Sequence, residues 1–392
     1  MKVLYVHDGP LGKDVKTGNY YGTHYKDEIR KRYLYLGDHL TFLIRVKNLA
    51  ENELKNYNFI TNENFSVVEA PNHKSPMLYL KNIAKVKQMV KEQVQAHDMA
   101  VIRLPSALGN FALDYAEKYK KPYLVEVVAC PWDALWNHSF TGKLLAPFKY
   151  RRLQSNMQKA KHSIYVTTKF LQDRYPTKGH AIGLSDVEIT DAHYDLQHRL
   201  DKIRDMKEGD PVILSTVAAL NVRYKGQGYV IKAIADLKKE GFNYEYHLVG
   251  GGDPSYLVNL AKEYGVEDRV KVIGSLRHEQ VFEWFEKIDL YIQPSNQEGL
   301  PRALVEAMSR ACPSIGSTTG GIPELLDDKF VFPKRNVEAL KNILRNVTKQ
   351  DMEEQAVKNY EKAKSFYKPE LEARRKKFYD EFLEDVRKNT KS

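Results

Sequence analysis

The chain has 392 residues, of which 42% are hydrophobic and 29% are charged, a composition typical of a globular protein. One hydrophobic core stops growing at about 250–300 residues, so we expect two domains. No apolar run reaches the roughly 18 residues of a transmembrane helix, and the first apolar run is too short for a signal peptide. Two cysteines, Cys130 and Cys312, cannot form a disulfide framework and suit the cytoplasm.

The net charge of +10 calls for an anionic partner or for cations spread over the surface. No zinc finger, aromatic RNA-binding signature or long basic arm is present, which argues against nucleic acid as a partner. Attraction to the anionic inner face of a membrane is one physical explanation, and lysines scattered over solvated helix faces are the other.

Residues 1–195 alternate short apolar segments with longer amphipathic ones, which predicts a parallel sheet covered by helices. The first loop, residues 8–20, follows the first strand, at the edge of the sheet where ligands bind. It has no G-x-G-x-x-G fingerprint. Strands are expected at 3–6, 40–46, 65–68, 99–104, 123–128 and 163–167, and a helix at 78–96.

The segment 126–138 places a carboxylate, two indoles and an imidazole after a predicted strand. Asp133 and His138 offer polar partners to a sugar, and Trp132 and Trp136 offer aromatic faces on which a sugar stacks. The alternative is that the two indoles, four residues apart, simply pack under a helix.

A cluster of cations follows in the next predicted helix. It either joins cations of residues 26–32 in one basic patch or lies on a solvated face. The residues concerned are Lys143, Lys149, Arg151 and Arg152, together with Lys26, Arg30, Lys31 and Arg32.

Residues 196–210 lie in a polar stretch without a strand pattern, and we interpret them as the hinge between the domains. Residues 211–368 resume the alternation and form the second domain. Residues 369–392 are expected to form a helix that crosses back onto the first domain. Strands are predicted at 212–216, 246–249, 270–273, 290–293 and 313–316, and a helix at 228–240.

Three segments of the second domain combine polar groups with glycines or a helix start. Residues 221–228 carry two cations, Arg223 and Lys225, beside two glycines, a composition suited to phosphate. Residues 248–254 contain three glycines, which permit either a tight turn or a close ligand approach. Residues 295–308 predict a loop and then a helix over 301–310, with one glutamate in each.

In this order the segments resemble the C-terminal half of glycosyltransferase family 4, retaining enzymes with the GT-B fold. The resemblance covers most of residues 211–326, and the first half is only loosely similar to members that extend bacterial surface polysaccharides. Its motifs are Lys225-Gly226, the 248–253 glycine turn, 270–274, 294–301, 306–308, 312–313 and 320–325, with the E-x7-E spacing of Glu298 and Glu306. The fold it implies is α/β, with two Rossmann-like domains facing across a cleft.

The resemblance also implies roles for individual residues. Glu298 would bind hydroxyls of the donor sugar, Glu306 the ribose hydroxyls, and Lys225 the diphosphate. Backbone groups would contact the sugar, phosphates or base at Gly18, Gly250, Gly251, Gly274, Ser275, Gly299, Leu300 and Pro301. The family needs no divalent metal or other cofactor.

Two positions depart from the family pattern. The arginine that family members commonly carry six residues before the lysine is Ala219 here, and Arg223 is a candidate to replace its charge. A histidine is common just after the strand at 123–128, whereas here Ala129 follows. His138 and Asp133 are the candidates to assist near the reactive carbon.

The function implied is retaining transfer of a sugar from a UDP- or GDP-linked donor to a glycan or lipid-linked acceptor in surface polysaccharide synthesis. Two alternatives remain. A GT-B epimerase or hydrolase acting on a sugar nucleotide would need no acceptor. A non-catalytic subunit would bind a nucleotide without turnover, and Ala219 keeps that alternative open.

Overall fold

The computed structural model describes residues 1–23, 27–137, 139–191 and 194–391. Two α/β units follow one another along the chain, each built on a sheet whose long strands are parallel. No helix of the described residues is both long and apolar enough to cross a membrane.

The N-terminal sheet has the spatial order β5-β3-β1-β6-β7-β8-β9, and short strands β2 and β4 add an antiparallel extension beside β1. Its strands are β1 (Lys2–Asp14), β2 (Tyr20–Gly22), β3 (His39–Leu49), β4 (Asn58–Phe59), β5 (Phe65–Ala70), β6 (Met99–Leu104), β7 (Tyr123–Val127), β8 (His162–Tyr165) and β9 (His180–Gly183). Its helices are α1 (Asp27–Leu34), α2 (Pro76–Ala96), α3 (Ala107–Lys118), α4 (Pro131–Trp136), α5 (Phe140–Lys159) and α6 (Phe170–Arg174).

The C-terminal sheet is parallel and has the order β12-β11-β10-β13-β14-β15. Its strands are β10 (Val212–Val217), β11 (Tyr244–Val249), β12 (Val270–Gly274), β13 (Leu290–Gln293), β14 (Ser314–Ser317) and β15 (Val331–Phe332). The helices from this half are α7 (Leu196–Arg204), α8 (Gln227–Lys239), α9 (Ser255–Glu263), α10 (His278–Lys287), α11 (Arg302–Ser309), α12 (Val337–Asn346), α13 (Lys349–Lys364) and α14 (Lys368–Lys391).

Helices cover both faces of each sheet. Successive side chains of a strand point to opposite sides, so a central strand contributes to two apolar clusters. In β1, Leu4 and Val6 pack with α2, α3 and α5, whereas Val3 and Tyr5 pack with α1 and α14. The predicted class of two Rossmann-like domains is therefore confirmed.

The last helix crosses back to the N-terminal domain, as predicted. Leu371, Phe378 and Phe382 of α14 are at most 2% exposed and belong to the apolar cluster beneath β1 and β3. Two backbone hydrogen bonds join the segment before α7 to the segment before α14. The Ile189 amide donates to the Phe366 carbonyl and the Lys368 amide donates to the Ile189 carbonyl, each at 2.9 Å.

Within the predicted hinge at 196–210, residues 196–204 form α7, a helix that packs on the C-terminal domain. Arg199 of α7 is 1% exposed and donates to the carbonyls of Phe285, Ile288 and Arg310. Before α7, Ile189 pairs with the segment that joins α13 to α14.

The first loop, expected at residues 8–20, is largely strand. After an irregularity between Val6 and Pro10, β1 continues to Asp14, with residues 10–14 paired to residues 45–49 of β3. Gly18 lies in the turn between β1 and β2, at φ 74°, and its amide donates to the Asp14 carbonyl at 2.8 Å.

Among the described residues, the cations of 27–32 and 143–152 do not join in one basic patch, which was one of the two alternatives. Arg30 is 5% exposed and its guanidinium binds Asp27, while Arg32 binds Glu188. Arg152 likewise pairs with Asp114. These arginines join elements of the N-terminal domain, and Lys26 lies outside the described residues.

Candidate functional site

Lys225 and Glu298 meet at the carboxyl ends of β10 and β13. The Lys225 ammonium donates to Glu298 Oε1 at 2.8 Å, and the Gln293 amide donates to the same oxygen at 3.1 Å. The carboxyl ends of parallel strands are the usual binding edge of such a sheet. The structure therefore places two residues distant in sequence in one polar cluster.

The loops that carry this ion pair are locked together by backbone contacts. Gly226 has φ 82°, and a Cβ atom there would lie 2.0 Å from the Pro294 carbonyl oxygen, so only glycine fits. The Asn296 amide also donates to the Tyr224 carbonyl at 2.7 Å. Lys225 is thus held against the loop of Glu298 by the main chain.

Gln293 is a positioning residue that the sequence analysis missed. It is 2% exposed, it donates to Ser295 Oγ at 2.8 Å, and it accepts a hydrogen bond from the Tyr291 hydroxyl at 2.6 Å. These bonds fix which face of its amide turns to Glu298. The available signal was a polar side chain at the end of an otherwise apolar buried strand.

Glu306 lies inside α11 and is 4% exposed. Burial raises the pKa of its carboxyl group to about 7, against a lowering influence from Arg302. Its Oε1 atom has no hydrogen bond within the described residues, and His278 Nδ1 lies 3.9 Å from it. A buried acceptor without a donor is destabilising by about 1–3 kcal/mol, so this oxygen is suited to hydroxyl donors from a ligand.

The two predicted glycine loops are adjacent at the same edge of the sheet. The Gly250 amide donates to the Gly274 carbonyl at 2.8 Å, and both glycines have positive φ, at 145° and 84°. A Cβ atom on Gly251 would lie 2.9 Å from Ser275 Oγ. Gly250, Gly251, Gly274 and Ser275 lie at the carboxyl ends of β11 and β12. These two strands are next to β10 and β13, which lead to Lys225 and Glu298.

The N-terminal domain approaches the Glu298 loop directly. A Cβ atom on Gly299 would lie 2.9 Å from the Val128 carbonyl oxygen, just after β7. The Asn137 side chain donates to the Asn296 carbonyl at 3.2 Å and accepts from Arg335 at 2.8 Å. These interdomain contacts were not foreseen.

Leu300 and Pro301 complete the Glu298 loop and start the helix. Leu300 packs in the apolar cluster of α11, and Pro301 is the residue before the first turn, with φ −75° and ψ 114°. A proline suits the start of a helix because it has no N–H, and the first N–H groups of a helix have no intrahelical acceptor.

Asp133 has partners of its own. It is 6% exposed, and its carboxylate binds Arg174 at 3.1 Å and faces Lys334 of the other domain at 3.8 Å. This ion pair favours a structural role at the domain interface. His138, the other candidate near the reactive carbon, lies outside the described residues.

The two tryptophans of α4 stack on each other, with ring centroids 5.0 Å apart. Trp132 also packs edge-on against Tyr150 and joins the N-terminal core, as the packing alternative predicts. Trp136 is 40% exposed.

Arg223 lines a cavity of about 390 Å³ between the Lys225 loop and Asn137. Its guanidinium lies 4.4 Å from the centroid of the Tyr256 ring, which fixes its direction. The backbone carbonyl of Ala219, where an arginine is common in the family, accepts from Gln227 at 3.2 Å. Arg223 is therefore near Lys225 in the chain but is engaged with Tyr256.

The sequence of the chain is similar to those of known proteins. Residues 198–365 match the family described as Glycosyl transferases group 1. Protein CapJ of Staphylococcus aureus is 34% identical over 384 residues, covering 96% of this chain and 94% of CapJ. The amylovoran biosynthesis glycosyltransferase AmsK of Erwinia amylovora is 33% identical over 153 residues, covering 36% of this chain and 37% of AmsK.

Solved structures match the fold over nearly the whole chain. Sucrose-phosphate synthase from Thermosynechococcus elongatus has a TM-score of 0.67 at 14% identity, covering 98% of this chain and 100% of that one. Anabaena HepE in complex with UDP has a TM-score of 0.60 at 15% identity, with 100% of both chains covered. The chain therefore belongs to the group 1 glycosyl transferases and has the two-domain GT-B fold.

Proposed function

We propose that this glycosyltransferase moves a sugar, with retention of configuration, from a UDP- or GDP-linked donor to a glycan or lipid-linked acceptor. The observation that carries the proposal is the cluster of Lys225 and Glu298 on the binding edge of the C-terminal sheet, with the buried carboxyl of Glu306 in the following helix. A cation and two acids suit a ligand that has both phosphates and hydroxyls.

The contacts of these residues support the roles that we propose for them. The Glu306 oxygen without a donor accepts the ribose hydroxyls, which supplies the hydrogen bonds it lacks. Lys225 neutralises the diphosphate as the glycosidic bond breaks, and Glu298, held by Gln293, binds donor-sugar hydroxyls. Because the cation is supplied by the chain, we propose that the reaction needs no divalent metal.

The remaining proposals concern the acceptor and the location. AmsK is named for amylovoran biosynthesis, and WcaL of Escherichia coli, 31% identical over 156 residues, is named as a putative colanic acid biosynthesis glycosyltransferase. These names support a role in surface polysaccharide synthesis. HepE is described in complex with UDP, which supports a nucleotide donor. We place the reaction in the cytoplasm, at the inner face of the membrane.

Product analysis with and without acceptor tests this function. A panel of UDP- and GDP-sugars is incubated with the wild-type chain and saccharide acceptors, and the products are separated and their anomeric configuration is read by NMR. The expected result is a new glycoside with the anomeric configuration of the donor. Free sugar or an epimerised donor at the same rate without acceptor would instead indicate a hydrolase or epimerase.

Calorimetry on the same panel separates the last alternative. Ala219 leaves a common family cation missing, which is the feature that favours a non-catalytic subunit. Binding of UDP or GDP with no turnover of any donor would support that alternative and contradict the proposed transfer.

A further inference from the structure

The outward face of α5 is apolar over its first three turns. Phe140, Leu144 and Phe148 recur every four residues, and they are 75%, 61% and 72% exposed. In a helix on the surface of a globular protein, such an apolar stripe normally faces the core. Here the core side of α5 is supplied by other residues, among them Leu153 and Met157.

The start of α2 adds to this apolar surface. Met77 and Leu80 are 78% and 76% exposed. Leu80 and Leu145 of α5 line the same cavity of about 760 Å³, so the two helix starts flank one opening. We call the residues Met77, Leu80, Phe140, Leu144 and Phe148 the apolar rim.

Cations are interspersed with the apolar rim. Lys74, Lys81, Lys143, Lys149 and Arg151 are exposed on the same two segments. Within the described ranges none of the five forms an ion pair with a carboxylate, whereas Arg152 of the same helix pairs with Asp114. The Lys143 ammonium lies 5.8 Å from the centroid of the Trp136 ring. The five cations therefore present a positive field to solvent, in a chain whose net charge is +10.

We propose that the apolar rim docks on the surface of an anionic lipid bilayer. Protein interfaces are depleted in lysine, whereas Phe and Leu side chains flanked by Lys and Arg are typical of helices that lie in the headgroup region. The phosphates of anionic lipids complement these exposed cations while the apolar rim enters the acyl boundary. A bilayer is thus favoured over a protein partner.

Docking would set the mouth of the 760 Å³ cavity against the headgroups. Its walls include Leu135, Leu145 and Leu153, and its polar lining includes Asp8 and His73, which are joined at 3.2 Å. A cavity that opens towards the headgroups would admit a lipid-linked acceptor, and this role rests on the proposed function. Docking itself does not depend on catalysis and is measured separately.

Vesicle sedimentation tests the proposal on the full chain. Wild-type protein is spun with phosphatidylcholine vesicles, with or without phosphatidylglycerol. The triple variant Phe140→Ser, Leu144→Ser, Phe148→Ser removes the stripe, and Lys143→Gln with Arg151→Gln removes charge. Val357→Ser, an exposed valine of α13 in the other domain, is the matched control.

The expected result is binding to phosphatidylglycerol vesicles that falls at least about tenfold in the triple variant and is unchanged in the control. The charge variant should bind more weakly and show a smaller salt dependence, because three of the five cations remain. Donor binding, read by the thermal shift with UDP and GDP, should match wild type in all variants, so failure of the donor site is seen separately. Wild-type protein that stays in the supernatant, or a dimer in light scattering that only the triple variant dissociates, would overturn the proposal.

Discussion

The buried carboxyl of Glu306 links the stability of the chain to pH. Its pKa in the folded chain is about 7, above the ordinary 4.5. An acid whose folded pKa is raised binds its proton more tightly when folded, so its contribution to stability falls as pH rises from 4.5 to 7. The size of that fall is about 3 kcal/mol.

Replacing Glu306 with Gln removes this dependence. Glu306→Gln should raise the melting temperature at pH 8 and leave it nearly unchanged at pH 4.5, where the wild-type carboxyl is already neutral. Thermal unfolding of the ligand-free chain at both pH values measures this, with the exposed Glu267→Gln as control. A variant that is equally or less stable than wild type at pH 8 would contradict the buried, donor-poor carboxyl described above.

At the scale of elements, the buried Arg199 holds α7 on the C-terminal domain together with Lys202 and the buried Ile203. Arg199→Met keeps the length of the side chain but deprives the carbonyls of Phe285 and Arg310 of their donor. The expected loss is about 3 kcal/mol of unfolding free energy, since hydrogen bonds to a charged group each contribute about 1.5–3 kcal/mol. Urea unfolding measures it against Arg204→Met, an exposed arginine of the same helix. Equal midpoints for the two variants would show that Arg199 is not the anchor.

The elements also show what the sequence can predict. Strands β6 and β13 and helix α11 follow from local composition, because apolar runs bounded by turn residues are a local signal. The extension of β1 and the identity of α7 do not. Residues 7–14 contain glycines and a proline, and their strand conformation depends on pairing with β3 and β2. The apolar pattern of α7 is weak because Arg199 is buried beside Ile203.

The candidate site also has one part that the sequence predicts and another that depends on tertiary packing. The motif order suggested that Lys225 and Glu298 act together, and the structure brings them into contact. Gln293 and the approach of Val128 to Gly299 depend on tertiary packing between segments far apart in the chain. No pattern in one sequence reports such contacts.

At the scale of the whole molecule, the two domains meet at Gly299. Gly299→Ala places a Cβ atom 2.9 Å from the Val128 carbonyl oxygen, and because that oxygen is backbone, one of the two loops must shift by a few tenths of an ångström. Sugar transfer should fall by up to about tenfold, since a misplacement of about 1 Å costs about 100-fold and this shift is smaller. Nucleotide binding, measured by calorimetry, should persist because the proposed contacts of Lys225 and Glu306 lie in the C-terminal domain. Wild-type transfer in this variant would contradict the closed arrangement.

The most direct test of donor-site chemistry is the rate of sugar transfer when the Lys225 ammonium is removed. Initial rates from the donor found in the panel are measured for wild type, Lys225→Ala and the control Lys239→Ala, an exposed lysine of α8. Lys225→Ala should lose about 10²–10³-fold in rate while remaining folded by circular dichroism, because it lacks the cation at the departing diphosphate. The control should match wild type. A folded Lys225→Ala protein that transfers sugar at the wild-type rate would contradict the assignment of this cluster as the donor site.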